Sequence, residues 1–128
     1  MSTELSLLLA SVVLGLIELL ATGVAASAQL GIAYTAGPRD EERPLGPIGG
    51  RIRRAFANFM ESFPFFAALV LAGAVLGRSN GWTVWGAHLY FWARLFYWPL
   101  YVLGVPMLRS LVWGVSLVGI VLLLVGVA

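Results

Sequence analysis

Residues 5–34 read LSLLLASVVLGLIELLATGVAASAQLGIAY and contain a single charged residue, Glu18. A run of about 20 apolar residues in a helix already matches a hydrocarbon layer about 30 Å thick, so this stretch is long enough to cross a bilayer. The four residues ahead of it, Met1-Ser2-Thr3-Glu4, lack a basic segment, and no clear small-residue cleavage site follows. The stretch therefore reads as a retained first helix, not a secretory signal.

The rest of the chain continues in the same way. Of its 128 residues 60% are hydrophobic and 11% charged, with a mean hydropathy of +0.92. A soluble domain of this size would carry roughly a quarter charged residues, so the main solvent is expected to be lipid. Gly37-Pro38 breaks the first run at the head of a polar connection, Arg39-Asp40-Glu41-Glu42-Arg43-Pro44. Gly77-Arg78-Ser79-Asn80-Gly81 supplies a tight turn, and Gly104-Val105-Pro106 supplies a shorter one that forces its flanking helices to be antiparallel neighbours. These breaks divide the chain into four spans at about 5–34, 54–76, 82–103 and 107–127. The expected fold is an all-α integral membrane protein, a single domain over residues 1–128 built as a four-transmembrane-helix bundle.

The connections after spans one and three share one side and carry Arg39, Arg43, Arg51, Arg53, Arg54 and Arg109; the other side carries only Arg78. The positive-inside rule places the long first connection in the cytoplasm and both termini outside. All eight basic residues are arginine, a choice that suits bidentate binding of carboxylates and phosphates but also follows from a GC-rich genome. Such a minimal, lysine-free chain suggests a bacterial inner membrane. The absence of cysteine excludes a disulfide, a thiolate zinc site and a protein thiol nucleophile. His88 is the only histidine, which excludes a multi-histidine metal site; neither a metal nor a nucleic-acid partner is expected. The tryptophans and tyrosines crowded into span three are expected mostly to anchor it at the membrane interface. Small residues at Ser11 and Gly15, and at Gly23, Ser27 and Gly31, favour close helix packing within or between subunits.

Ionisable groups at membrane depth each require a partner or a task. Arg54, Asn58 and Glu61 recur at i, i+4 and i+7 in span two, within an arc of roughly 60° at 100° per residue. Tyr90, Arg94, Tyr97 and Tyr101 form a second stripe in span three. Antiparallel order brings the cytoplasmic ends of both stripes to one depth, beside Arg109 and Ser110 at the head of span four. Guanidiniums for carboxylates, a carboxylate for an ammonium, and phenols and an amide for other polar atoms together suit a small anionic, zwitterionic ligand. The competing reading makes Glu61 an internal counter-ion of Arg94 or Arg54 that holds helices in register. Glu18, with Thr22 and Gln29 on a similar face, is either a proton carrier, an inter-subunit partner, or a carboxylate kept neutral or paired between helices. The string 39–43 is expected to be a solvated, self-neutralising loop face.

The stretch Arg54-Ala55-Phe56-Ala57-Asn58-Phe59-Met60-Glu61-Ser62-Phe63-Pro64 resembles the signature R-A-x-x-N-x-x-E-x-x-P of the MAPEG family, the membrane-associated proteins of eicosanoid and glutathione metabolism. Arg94-Leu95-Phe96-Tyr97, then Tyr101, then Arg109-Ser110 look like the arginine and tyrosines of that family's third helix and the arginine opening its fourth. The resemblance covers nearly the whole chain and points to a bacterial-type member. It implies a homotrimer that binds glutathione as co-substrate between subunits near the cytoplasmic face, with a lipophilic small-molecule substrate arriving from the membrane lipids. By similarity, Arg51 and Arg54 hold carboxylates, Asn58 a backbone polar group, and Glu61 the γ-glutamyl ammonium. Arg94, Tyr97, Tyr101 and Ser110 take the rest of the ligand, and Arg109 is the catalytic group that stabilises the sulfur as thiolate.

Two positions depart from the pattern. Catalytic eukaryotic members have an arginine near the end of helix one, where this chain has Gln29, Leu30 and Tyr34, and the tyrosine that often follows the motif glutamate is Ser62. The implied activity is a glutathione-dependent transferase or peroxidase acting on lipophilic electrophiles or lipid hydroperoxides. The alternative is a non-catalytic lipid-binding or scaffold protein of the same fold. A proton-coupled transporter built around Glu18 finds neither a discontinuous helix nor a repeat to support it.

Overall fold

The structure, a computed structural model, describes residues 1–41 and 43–128. All regular structure among these residues is helical: α1 (Thr3–Leu30), α2 (Ile32–Thr35), α3 (Pro47–Leu76), α4 (Gly81–Val102) and α5 (Pro106–Val127). The ends follow local chemistry. The Ser2 hydroxyl caps α1 by accepting the Leu5 N–H at 3.2 Å. Gly31, at φ +89°, stops α1 and turns the chain into the single turn α2, so the first apolar run is one long helix plus a kinked extension. Pro47 opens α3, where its missing N–H and fixed φ cost nothing. The helix thus begins well before the span expected from residue 54, and Arg51, Arg53 and Arg54 ride on its first turns, not in a loop. Asn80 and Thr83 form a reciprocal capping box at the head of α4.

Packing is closest between α4 and α5, and glycine makes it so. A side chain at Gly86 would meet the Gly119 carbonyl at 2.6 Å, and one at Gly119 would meet the Tyr90 nitrogen at 2.7 Å. The core joins Leu7 and Leu8 of α1, Phe66 and Val70 of α3, Ala87 and Tyr90 of α4, and Leu123 of α5. The Phe66 and Tyr90 rings stack at 4.1 Å between centroids, and the buried Tyr90 hydroxyl is satisfied by Ser62 at 2.9 Å. In α1, Ser11 is buried and Gly15 accommodates the Phe59 ring, so this pair of small residues serves packing within the chain. Gly23 and Gly31 face open space.

The outer faces are apolar, with Val13, Leu20, Val24, Phe65, Val75 and Leu111 among many large side chains left exposed. Among the described residues three helices, α1, α3 and α5, are long and apolar enough to cross a membrane. The fourth long helix, α4, packs against all three and buries the polar stripe Tyr90, Arg94 and Tyr97 among them.

The two ends of the bundle differ. At one end Glu4 Oε2 accepts from Ser79 at 2.6 Å and Thr83 at 2.9 Å, while Arg78 donates to the Ala128 carbonyl at 2.9 Å. The other end holds the long connection, the Gly104 turn and six of the eight arginines. There Tyr34 organises the loop: its hydroxyl donates to the Glu41 carbonyl and accepts the Arg43 N–H, and the Arg43 guanidinium lies over its ring at 4.5 Å. Arg43 also pairs with Glu41 at 3.7 Å on an exposed face. Glu42, part of the loop face expected to neutralise itself, lies outside the described residues.

Because backbone atoms cannot yield as a flexible side chain can, Gly119→Ala is expected to destabilise the protein by on the order of 1–3 kcal/mol. Gly114→Ala, which points into open space on the same helix, should not lower the melting temperature in detergent.

Candidate functional site: a polar cleft at the arginine-rich end

Arg94 is the innermost element of the site. It is 1% exposed, and its Nη1 donates to Asn58 Oδ1 of α3 at 2.9 Å. The guanidinium also sits 4.3 Å from the Tyr97 ring centroid and 5.7 Å from that of Phe59. Such cation–π contacts strengthen where water is excluded. Its Nε has no hydrogen-bond partner among the described residues.

Two turns further along α4, Tyr101 joins three helices. Its ring packs beside Tyr97 at 5.7 Å, its hydroxyl accepts from Arg54 Nε of α3 at 3.3 Å, and the Arg109 guanidinium of α5 covers its face at 4.5 Å. Arg51 reaches across the Gly104 turn toward the Val102 carbonyl at 3.5 Å. Gly104, at φ +74°, leaves the room for that arginine, since a side chain there would lie 3.0 Å from the guanidinium carbon.

Two adjoining cavities open around these groups. One, of about 250 Å³, is lined by Asn58, Tyr97, Tyr101, Arg109, Ser110 and Trp113. The other, of about 320 Å³, is lined by Arg51, Arg54, Tyr101, Gly104, Pro106 and Arg109. Tyr101 and Arg109 belong to both, so the two read as one cleft. Among the described residues the one ion pair is Arg43–Glu41, which leaves Arg51, Arg54 and Arg109 without carboxylate partners. A cleft that concentrates three such guanidiniums attracts anions, above all planar carboxylates that accept two parallel hydrogen bonds.

The structure thus brings Arg51, Arg54, Asn58, Tyr97, Tyr101, Arg109 and Ser110 around one space, with Arg94 behind it. Ser110 lines the cleft while its hydroxyl donates to the Pro106 carbonyl at 3.1 Å. Glu61 stands apart: it is exposed on the outer face of α3 and lines neither cavity, yet is near enough to act electrostatically on Arg94 and Tyr97. His88 is turned away from the cleft, accepting the Trp92 indole N–H at 3.2 Å beside an apolar groove.

Two contributors were not read as members of the site. Trp113 lines the cleft one turn after Arg109, a spacing that could have signalled it. Glu18 is buried in α1 and lies near enough to Arg94 and Tyr90 to bear on them electrostatically, a proximity that no spacing within one helix reveals.

An all-helical bundle with apolar outer faces and its charges gathered at one end is an integral membrane protein. The MAPEG family model matches residues 7–128, and the chain belongs to that family of membrane proteins of eicosanoid and glutathione metabolism. A search of curated proteins gave no match.

Removing the amide that holds Arg94 leaves a buried donor unsatisfied, so Asn58→Ala is expected to cost about 1–3 kcal/mol, visible as a lower thermal midpoint in detergent.

Proposed function

We propose that the protein binds glutathione in this cleft and uses it against lipophilic electrophiles or lipid hydroperoxides that enter from the membrane. The observation that carries the reading is the convergence of Arg51, Arg54 and Arg109, none with a carboxylate partner among the described residues, on a cleft also lined by Tyr101 and Asn58. Arg51 and Arg54 hold the ligand's carboxylates, Asn58 a peptide group, and Tyr97, Tyr101, Ser110 and Arg94 the remaining polar atoms. Arg109 stands by the sulfur, where its charge favours thiolate over thiol. In transfer, the thiolate attacks the electrophilic carbon, a C–S bond forms and the electron pair leaves with the displaced group. In peroxide reduction, two glutathione molecules become the disulfide while the hydroperoxide becomes an alcohol and water.

The working unit in this proposal is a homotrimer of four-span subunits, with α4 as the third span. Glu61 supports a subunit boundary at the cleft: a charged carboxylate left exposed on a membrane helix is costly in lipid and is relieved by a neighbour or by a ligand's ammonium. The six-arginine end faces the cytoplasm and the termini lie outside, by the positive-inside rule, in a bacterial inner membrane.

A non-catalytic lipid-binding or scaffold role is the second reading. It is favoured by Gln29, which occupies the end of α1 in place of an arginine and packs against Gly46 and Gly49.

Calorimetric titration of the purified protein with glutathione is expected to give saturable binding; no heat at millimolar ligand sinks the proposal. Arg109→Ala should lower the ultraviolet absorbance of bound thiolate more than it lowers affinity. Binding without turnover on any electrophile or hydroperoxide would favour the second reading.

A further inference from the structure

Glu18 is the one charged residue in the apolar run of α1, and it is 2% exposed. It lies one turn beyond Gly15, whose empty side is filled by the Phe59 ring, the same ring that Arg94 approaches at 5.7 Å. With Ser11 and Leu14 also buried, this face of α1 is turned into the bundle toward α3 and α4. Four ionisable groups act on Arg94: Tyr90, Glu18, Tyr97 and Glu61. Only two of them are carboxylates. Glu61 is exposed, whereas Glu18 is buried on the face of α1 that meets the Phe59 ring, behind Arg94 and without a direct ion pair to it. A buried cation requires a counter-charge, and asparagine and aromatic faces supply none.

We propose that Glu18 is a positioning residue of the cleft: it is the internal counter-charge of Arg94, balancing that guanidinium from behind and leaving Glu61 free for the ligand. The second half rests on the glutathione reading. With Arg94 balanced within the chain, the groups without an ion pair among the described residues are three guanidiniums that line the cleft, Arg51, Arg54 and Arg109, and one carboxylate outside it, Glu61. Glutathione as thiolate offers two carboxylates, one sulfur anion and one ammonium, so each charge finds an opposite. A site in which Arg94 drew on Glu61 would have no partner for the ammonium.

The pairing is tested without ligand by melting Glu18→Gln, Arg94→Gln and the double variant in detergent. Each single change strands one buried charge and the double strands none, so the double variant should melt above Arg94→Gln alone. Additive losses overturn the pairing. Should Glu18→Gln fail to assemble, the comparison of the double variant with Arg94→Gln still decides.

The division of labour is tested by titrating wild type, Glu18→Gln and Glu61→Gln with glutathione and with its analogue lacking the γ-glutamyl amino group. Glu18→Gln should weaken both ligands by the same factor, roughly tenfold or more, as loss of a charge-assisted contact does. Glu61→Gln should weaken glutathione alone, abolishing the preference for the amino group. If Glu18→Gln abolishes that preference instead, Glu18 faces the ligand and the proposal falls. If wild type binds neither ligand, the glutathione reading falls by itself, and the melting comparison still judges the Glu18–Arg94 pair.

Discussion

A guanidinium enclosed in a low-dielectric bundle dictates much of what surrounds it. Arg94 has almost no access to solvent, and a charge so placed persists only where hydrogen bonds and counter-charge replace its hydration. Asn58 of α3 supplies an acceptor, Phe59 and Tyr97 supply ring faces, and the Phe59 ring in turn seats against Gly15 of α1. Three helices are therefore held in one register by the needs of a single side chain. Ser62 and Tyr90, satisfying each other nearby, extend that layer toward the apolar core.

The cleft grows from this layer because the chain stops balancing charge there. Within the bundle, polar atoms are mostly answered by other polar atoms; at the arginine-rich end Arg51, Arg54 and Arg109 are not answered by carboxylates among the described residues. Aromatic rings hold them in place without neutralising them, as Tyr101 does for Arg54 and Arg109 together. The outer surface makes the complementary statement, with large apolar side chains exposed along every long helix. One molecule thus offers lipid an apolar exterior and offers anions an electropositive notch.

Much of this was legible along the chain. Hydropathy, Gly-Pro breaks and arginine placement revealed the long helices and the end where charge collects, because these are local properties of consecutive residues. The stripes 54/58/61 and 94/97/101 were readable from helical periodicity alone. What periodicity cannot supply is the rotation of one helix against another. That is why Glu61, third in its stripe, sits outside the cavity its stripe lines, and why Glu18, with no charged residue at helical spacing beside it on α1, gave no sign of lying near Arg94. The early start of α3 at Pro47 was hidden by the glycines and arginines that follow it, which read as a loop. The kink after Leu30 was likewise masked, since Gly31 lies inside an apolar run whose hydropathy continues unbroken.

The glycine contact between α4 and α5 has a mechanical meaning for the cleft. Backbone seated on backbone at Gly86 and Gly119 leaves those two helices little freedom to slide, so Tyr97, Tyr101, Arg109 and Ser110 travel as one jaw. Arg51, Arg54 and Asn58 form the other jaw, carried by α3. Three hydrogen bonds, Arg94 to Asn58, Arg54 to Tyr101 and Arg51 to the Val102 carbonyl, span the gap between them. Any widening of the cleft has to stretch those bonds first, which makes them the gauge of whether the jaws are open or shut.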